Sequence, residues 1–276
     1  MNPENMDKQD KIWQLIEKEI KLYNRLKISE LIDHKKFYLY SIITHSTAIE
    51  GSTLTELDTQ LLFDEGITAK GKPLVHHLMN EDLRNAYVFA SSKAKEKTQL
   101  SSDFLKELNA LVMKSTGGIT NVPAGVFDSS KGDFRLCGVM AGYGGESYMN
   151  YLKVSDAVSK LCNEINCRLN EEKILRDIYN LSFDAHLNLV TIHPWVDGNG
   201  RISRLLMNYL QFYYQAIPVK IYKEDKAEYI TSLIESRKQE NNAPFREFMA
   251  QQFLKMLKEE TTNYTRSQKR DMKFLF

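Results

Sequence analysis

The sequence has little cysteine, almost no excess of either charge and no long apolar run, and each shortage removes a class of protein. Cys137, Cys162 and Cys167 are the only three cysteines among 276 residues. They are too few and too irregularly spaced for a disulfide framework or a cysteine-built zinc site, so a reducing compartment, the cytoplasm, is expected. Lys and Arg number 37 against 36 Asp and Glu, a formal net charge of +1. That balance gives no reason to expect a nucleic-acid or membrane partner. No apolar stretch is long enough to span a bilayer, and the opening MNPENMDKQDK lacks the apolar core of a secretion signal, so no leader is expected. Internal repeats, low-complexity tracts and Pro/Gly/Ser-rich linkers are missing too. What is left is a soluble globular chain, with a hydrophobic fraction of 42% and a charged fraction of 26%.

Helical periodicity dominates what is present. Residues 11–27 put Ile12, Leu15, Ile16, Ile20 and Tyr23 on one stripe. A second helical stretch runs from about Leu31 through Glu50 and meets Gly51, a natural stop. Thr53, with Glu56 three residues on, reads as the cap of a short helix ending near Gly66. Further amphipathic stretches cover about 78–97, 102–114, 154–169, 172–192, 200–215, 225–239 and 244–260. Residues 132–150 differ: five glycines and several β-formers, with no helical stripe, suggest a short strand at Phe134, Leu136 and Val139 to Ala141 that turns at Gly142 to Gly145 and returns. The same composition also fits a plain surface loop. The polar, basic end of the chain, 261–276, reads as a loosely held tail.

The chemistry concentrates in residues 193–204, HPWVDGNGRISR. A helix delivers His193, and Pro194 keeps that helix from continuing. Gly198-Asn199-Gly200 tolerates positive φ and lets successive backbone N–H groups face one concavity. A new helix starts there, so its unpaired N–H groups and positive dipole end face the same spot, an anion site suited to phosphate. Arg201 and Arg204, three residues apart, share a face above it and imply more than one phosphate. Asp197 beside them is a natural Mg²⁺ ligand, and His193 is the neutral base in reach of an incoming hydroxyl. Taken singly, each element has an ordinary reading: a capping histidine, a turn, a solvated arginine pair. Their order within twelve residues makes the ordinary reading hard to sustain.

This segment resembles the signature of the Fic family, H-x-F-x-[DE]-G-N-G-R-x-x-R, with Trp195 in place of the usual Phe. The resemblance spans roughly residues 40–255. It implies an all-α, Fic-type helical core with a short β-hairpin flap, preceded by N-terminal helices packed on it. It divides the chain into a front region, 1–100, a catalytic core, 101–260, and the tail, 261–276. It implies a protein adenylyltransferase that moves AMP from ATP, with Mg²⁺, to a Ser, Thr or Tyr hydroxyl of a target protein. By position His193 would be the general base and Asp197 the Mg²⁺ ligand. Gly198, Asn199, Gly200 and Arg201 would cradle the α- and β-phosphates, and Arg204 would grip the γ-phosphate. The flap at 132–150 would align the target as an extended strand, with Ala141, Gly142 and Tyr143 nearest the nucleotide. Tyr229 and Arg237 fall where the family lines its adenine and ribose pocket. The phosphorylating branch carries Lys at the position of Gly200, which disfavours kinase-like chemistry here. Family precedent makes a homodimer plausible.

Residues 46–51, STAIEG, resemble the family's inhibitory motif, [ST]-x-x-x-E-[GN], on a helix ahead of the core. If Gly51 ends that helix, Glu50 is a carboxylate at the negative end of the dipole, a placement that costs up to about 1 kcal/mol. The family pairs this glutamate with the second arginine, here Arg204, with Ser46 and Gly51 completing the motif. Two ordinary readings stay open: Thr47 and Glu50 as a capping box, or Glu50 as a solvated side chain.

Other functions share these residues. A hydrolase could use the same site, with Glu50 aligning a water, to remove AMP from a modified protein. A nucleotide-binding interaction protein needs no base, which argues against it given His193 and Asp197. A metallohydrolase built on His186 and His193 lacks a carboxylate on that helix to complete a ligand set, and His186 reads as structural.

Overall fold

The computed structural model describes residues 3–141, 145–171 and 173–273. They form ten α-helices, one two-stranded sheet and a few single 3-10 turns, the all-α architecture with a short hairpin that the sequence implies. The chain divides into two compact units, Met1–Ile42 with Val219–Phe276, and Ile43–Pro218.

The first unit holds α1 (Pro3–Arg25), the beginning of α2 (His34–Ile49), α9 (Lys226–Lys238) and α10 (Ala243–Lys273). On α1 the inward face is Trp13, Ile16 and Tyr23, while Leu15, expected on that stripe, is 45% exposed. One residue is about 100° of helix, which carries Leu15 off a face centred on Ile16. Phe245, Phe253, Met256 and Leu257 of α10 are fully buried in the same unit. The expected tail is helical: α10 continues through Lys273, because neither Pro nor Gly follows Pro244 to stop it.

The second unit holds α3 (Glu56–Glu65), α4 (Leu74–Lys95), α5 (Ser102–Val112), α6 (Val154–Leu169), α7 (Leu175–Ile192) and α8 (Asn199–Tyr213), together with the end of α2. The cap of α3 is Thr55 rather than Thr53: its hydroxyl accepts from the Asp58 N–H at 3.1 Å, and Asp58 accepts from the Thr55 N–H at 2.9 Å. Asp58 can close this reciprocal box one turn in, and Gly66 ends the helix at φ 69°.

The regular hairpin is also not where the glycine-rich segment suggests. Strands β1 (Ile119–Val122) and β2 (Gly125–Asp128) pair antiparallel, Ile119 opposite Asp128 and Val122 opposite Gly125. Residues 139–148 make a looser return: Met140 bridges Ser147, the Ala141 N–H donates to Glu146 O at 3.0 Å and the Tyr148 N–H to Val139 O at 3.0 Å. Phe134 and Leu136 are not in a strand.

At the centre of this unit α8 packs against α7, α4 and α5. Every residue from Arg201 to Gln211 is buried. A helix enclosed on all sides must satisfy its polar groups internally. The Tyr87 hydroxyl donates to Asn208 at 2.6 Å, Asn208 to Gln211 at 2.8 Å, and Gln211 to the Ser182 hydroxyl at 3.0 Å. Arg201 and Arg204 are the two cations on this buried helix, and their partners define the site.

Candidate active site

The loop between α7 and α8 is closed by its own side chains. His193 ends α7 in the left-handed region, φ 53°, with its N–H on Leu189 O at 3.0 Å. For a residue with a Cβ that conformation costs about 1–2 kcal/mol, so the surroundings must hold it. Asn199 does so from the far side of the loop: its carboxamide accepts from the Trp195 N–H at 3.0 Å and donates to Trp195 O at 2.8 Å. Any hold of Asn199 on a phosphate is therefore through its backbone N–H. Trp195 is fully buried, packs edge-on against Phe134 and donates its indole N–H to Gly132 O at 2.9 Å.

Gly198, at φ 84°, caps α8 and, being glycine, makes no side-chain cap bond to that helix. A Cβ on Gly198 would meet Asn109 and Met113 within 3 Å, so the nest requires glycine for space as well as conformation. Asp197 lies in the loop with its side chain 65% exposed, bonding the Gly198 N–H at 2.6 Å and Arg201 at 3.3 Å.

The two arginines are in opposite situations. Arg201 is 1% exposed, and its Nε and Nη1 have no hydrogen-bond partner. Buried guanidinium donors left open call for an anion. Asp82, on α4, is one negative group in its field; burial raises the Asp82 carboxyl, against hydrogen bonds from the Ser115 N–H and hydroxyl at 2.7 and 2.9 Å. Arg204, 3% exposed, is fully engaged: Nε donates to the Ser46 hydroxyl at 2.8 Å, and Nη2 to Ser46 O at 2.9 Å and to the Glu50 carboxylate at 2.6 Å.

The capping-box reading of Glu50 falls here: Thr47 is inside α2, its hydroxyl on Ile43 O at 3.0 Å, so no helix starts there. Glu50 is ion-paired to Arg204 with its side chain still 31% exposed. Gly51, φ 101°, ends the helix as expected, and the Ser52 N–H closes back on Thr47 O at 3.0 Å. The segment is anchored within its unit by Asn80, which lies 3.2 Å from the Thr47 hydroxyl and donates to Ser52 at 3.3 Å.

Two residues that sequence reasoning passed over join flap to loop. Arg135, 1% exposed, donates from Nε to His193 O at 2.8 Å, from Nη1 to Cys137 O at 2.7 Å and from Nη2 to Met149 O; its own N–H reaches Pro194 O at 3.0 Å. Burial lowers its pKa. Tyr148 stacks on the His193 imidazole, ring centroids 3.8 Å apart and planes within 15°. Neither carries a local pattern; an arginine in a β-forming stretch is the only signal Arg135 gives.

The remaining expectations distribute as follows. Ala141 is in the flap return, while Gly142 and Tyr143 lie outside the described residues. Tyr229 and Arg237 are on α9 in the first unit, where the Tyr229 ring is buried against Phe245 and Phe248. His186 is fully buried and its pKa is pushed well below the ordinary imidazole value by burial, so it is neutral, as a structural histidine is. Among the described residues no three His, Cys, Asp or Glu side chains gather as a metal cage. The single carboxylate of Asp197 beside the Gly198 turn has the chemistry that Mg²⁺ takes, one or two carboxylates with the rest of its shell from phosphate oxygens and water.

Residues 99–211 match the Fic/DOC family model. They are a Fic domain. Protein adenylyltransferase fic-1 of Caenorhabditis elegans is 30% identical over 201 residues, 71% of this chain and 36% of its own length. Protein adenylyltransferase Fic of Drosophila melanogaster is 30% identical over 200 residues, 71% of this chain and 37% of its own. The chain thus spans little more than a third of these relatives. A Fic domain containing signaling protein from Bacteroides thetaiotaomicron superposes with a TM-score of 0.76 at 20% identity, covering 91% of this chain and 98% of that one. A Fic family protein from Desulfovibrio desulfuricans gives 0.72 at 19%, covering 95% and 75%. These likenesses establish the fold.

Proposed function

We propose that this Fic-domain chain transfers AMP from ATP to a Ser, Thr or Tyr hydroxyl of a target protein, and that it restrains itself through Glu50. The observation that carries the reading is the two unpartnered donors of Arg201, Nε and Nη1, buried beside the Gly198 nest while Nη2 pairs with the Asp197 carboxylate. The curated names of the relatives, protein adenylyltransferases, support it.

His193 is the base. Its Nδ1 lies 3.3 Å from Val190 O; a carbonyl only accepts, so Nδ1 carries the proton and Nε2 keeps the lone pair. The target hydroxyl gives its proton to Nε2 as its oxygen bonds the α-phosphorus, and the bond from that phosphorus to the β-phosphate oxygen breaks, releasing pyrophosphate. Gly198, Asn199 and Gly200 offer backbone N–H groups to the α- and β-phosphates, and Arg201 adds its free donors. Asp197 would hold Mg²⁺, which neutralises charge on the phosphates. Arg204 is the γ-phosphate ligand. The flap guides the target segment, with Ala141, Gly142 and Tyr143 nearest the nucleotide. The chain works in the cytoplasm, as a homodimer.

The restraint follows from Arg204 having one guanidinium for two anions. While Glu50 and Ser46 hold it, the γ-phosphate is not seated and the α-phosphorus is out of line. A hydrogen bond between charged groups is worth about 1.5–3 kcal/mol, and each 1.4 kcal/mol is roughly tenfold in rate. Release in Glu50→Gly should therefore raise transfer about tenfold to a hundredfold.

The test incubates ATP labelled on the α-phosphate with cell lysate and wild type, Glu50→Gly or His193→Ala protein. The expected pattern is faint labelling by wild type, strong labelling by Glu50→Gly and none by His193→Ala, which should still bind ATP. Labelling by His193→Ala would remove the base, and equal labelling by wild type and Glu50→Gly would remove the brake. Release of AMP from an already modified target, without forward transfer, would favour the hydrolase instead.

A further inference from the structure

We propose that Tyr148 is a positioning residue for His193: its ring fixes the imidazole plane, so that Nε2 stays turned toward the incoming hydroxyl only while the flap is in register. This rests on His193 as the general base.

The contact is unusual for an aromatic pair. Aromatic side chains left to themselves prefer offset or edge-on arrangements with centroids 4.5–7 Å apart. Here the rings face each other at 3.8 Å and 15°. A less favoured arrangement persists when the backbone on both sides imposes it. Both sides are indeed imposed, and by one residue. Arg135 binds the carbonyl of His193 and the carbonyl of Met149, the residue after Tyr148. The Tyr148 N–H is in turn fixed on Val139 O at 3.0 Å across the flap. One guanidinium therefore sets the spacing between the base and the strand that carries its neighbour.

The bond from the His193 Nδ1 to Val190 O is long, 3.3 Å, and at that length sets the tautomer better than it sets the ring angle. A ring lying on its face restricts rotation of the imidazole and covers neither nitrogen. As His193 takes the proton it becomes a cation over the π-face of Tyr148, an arrangement that is attractive. Flap and base are thus mechanically linked. A flap displaced from this register takes Tyr148 off the imidazole, and the base loses its orientation.

The experiment uses the full chain carrying Glu50→Gly, with Tyr148→Phe and Tyr148→Leu compared in it. Histidine-labelled protein without nucleotide is examined by NMR. The His193 ring signals should be shifted upfield by the facing ring in the parent and in Tyr148→Phe, and return to ordinary positions in Tyr148→Leu. Tyr148→Leu should lower kcat about tenfold to a hundredfold, the scale on which misplaced catalytic groups act. Its affinity for ATP and its KM for ATP should not move, and Tyr148→Phe should restore kcat. Full activity of Tyr148→Leu, an unshifted His193 signal in the parent, or a Tyr148→Phe as slow as Tyr148→Leu would overturn the proposal. So would a parallel fall in ATP affinity, the mark of a merely structural role. If the parent itself transfers no AMP, the general-base reading fails first and takes this role with it; if the parent is active and Tyr148→Leu equally so, only the positioning role fails.

Discussion

The carboxylate of Glu50 occupies the space that a side chain on Gly200 would need: a Cβ there would lie well inside contact distance of Glu50 Oε1 and 3.1 Å from Arg204 Nη1. Gly200 does not have positive φ, so its backbone admits alanine; the main obstacle is the Glu50 carboxylate, with the flexible end of Arg204 a lesser one. Alanine in a helix is favoured over glycine by up to about 1 kcal/mol. In the Glu50→Gly background, Gly200→Ala should therefore be neutral or stabilising without nucleotide. In wild type it should destabilise, with an interaction energy of about 0.5–3 kcal/mol in the double-mutant cycle. Urea unfolding of the four proteins measures this, and additivity would mean that the carboxylate moves aside freely.

Arg135 holds three carbonyls, two of them on the flap stems. Arg135→Met leaves them without their donor at a cost of about 1–3 kcal/mol. The loss should be concentrated at 137–149 rather than spread through the domain. Limited proteolysis with mapped cleavage sites should show new cuts in that segment, and an unchanged digestion pattern would deny Arg135 its role as the tie.

Trp195 stands where the family pattern has Phe, and its indole N–H makes a bond that Phe lacks. Trp195→Phe removes the donor from Gly132 O and opens a small void in a fully buried place. The expected destabilisation is about 1–3 kcal/mol. The Gly132→Ala variant should be worse, because its φ is 78° and a Cβ would press into the Lys106 carbonyl. Chemical denaturation of both variants checks the order.

His186 is buried neutral, with its folded pKa depressed well below 6.5 by burial. The unfolded chain takes up a proton as pH falls through about 6.5 and the folded chain does not, so stability is full above that pH and declines below it. The slope from this residue approaches about 1.4 kcal/mol per pH unit. His186→Gln should flatten the acid side of the stability curve between pH 6.5 and 5, measured by urea midpoints. An identical pH dependence in wild type and variant would show that His186 titrates normally in the folded protein.

The loop from His193 to Arg204 is legible in sequence because what shapes it is local: a proline stop, a glycine nest and a helix start within the seven residues from Pro194 to Gly200. Helix spans were legible for the same reason, and the errors fall where packing chose between neighbours, as with Thr55 over Thr53 and Trp13 over Leu15. The β1–β2 hairpin was missed although Ile119, Thr120 and Val122 are strand formers bounded by glycines; its strands are four residues each, too short to stand out beside a richer glycine segment. Glu50 and Arg204 lie 154 residues apart, and only resemblance joined them. Arg135 and Tyr148 had no such guide, since what matters about each is which distant backbone or ring it meets.

Three bonds on the Arg204 guanidinium come from one turn of one helix, Ser46 to Glu50. The proposed restraint therefore acts as a unit: unwinding the turn breaks these three bonds together. Many unrelated lesions would therefore have one and the same outcome. A proline within 46–50, a substitution at Asn80 that loosens the anchor, or a bound partner that unwinds the turn would each unlatch the arginine, and genetic screens for unrestrained protein should return a scatter of sites around this turn rather than Glu50 alone.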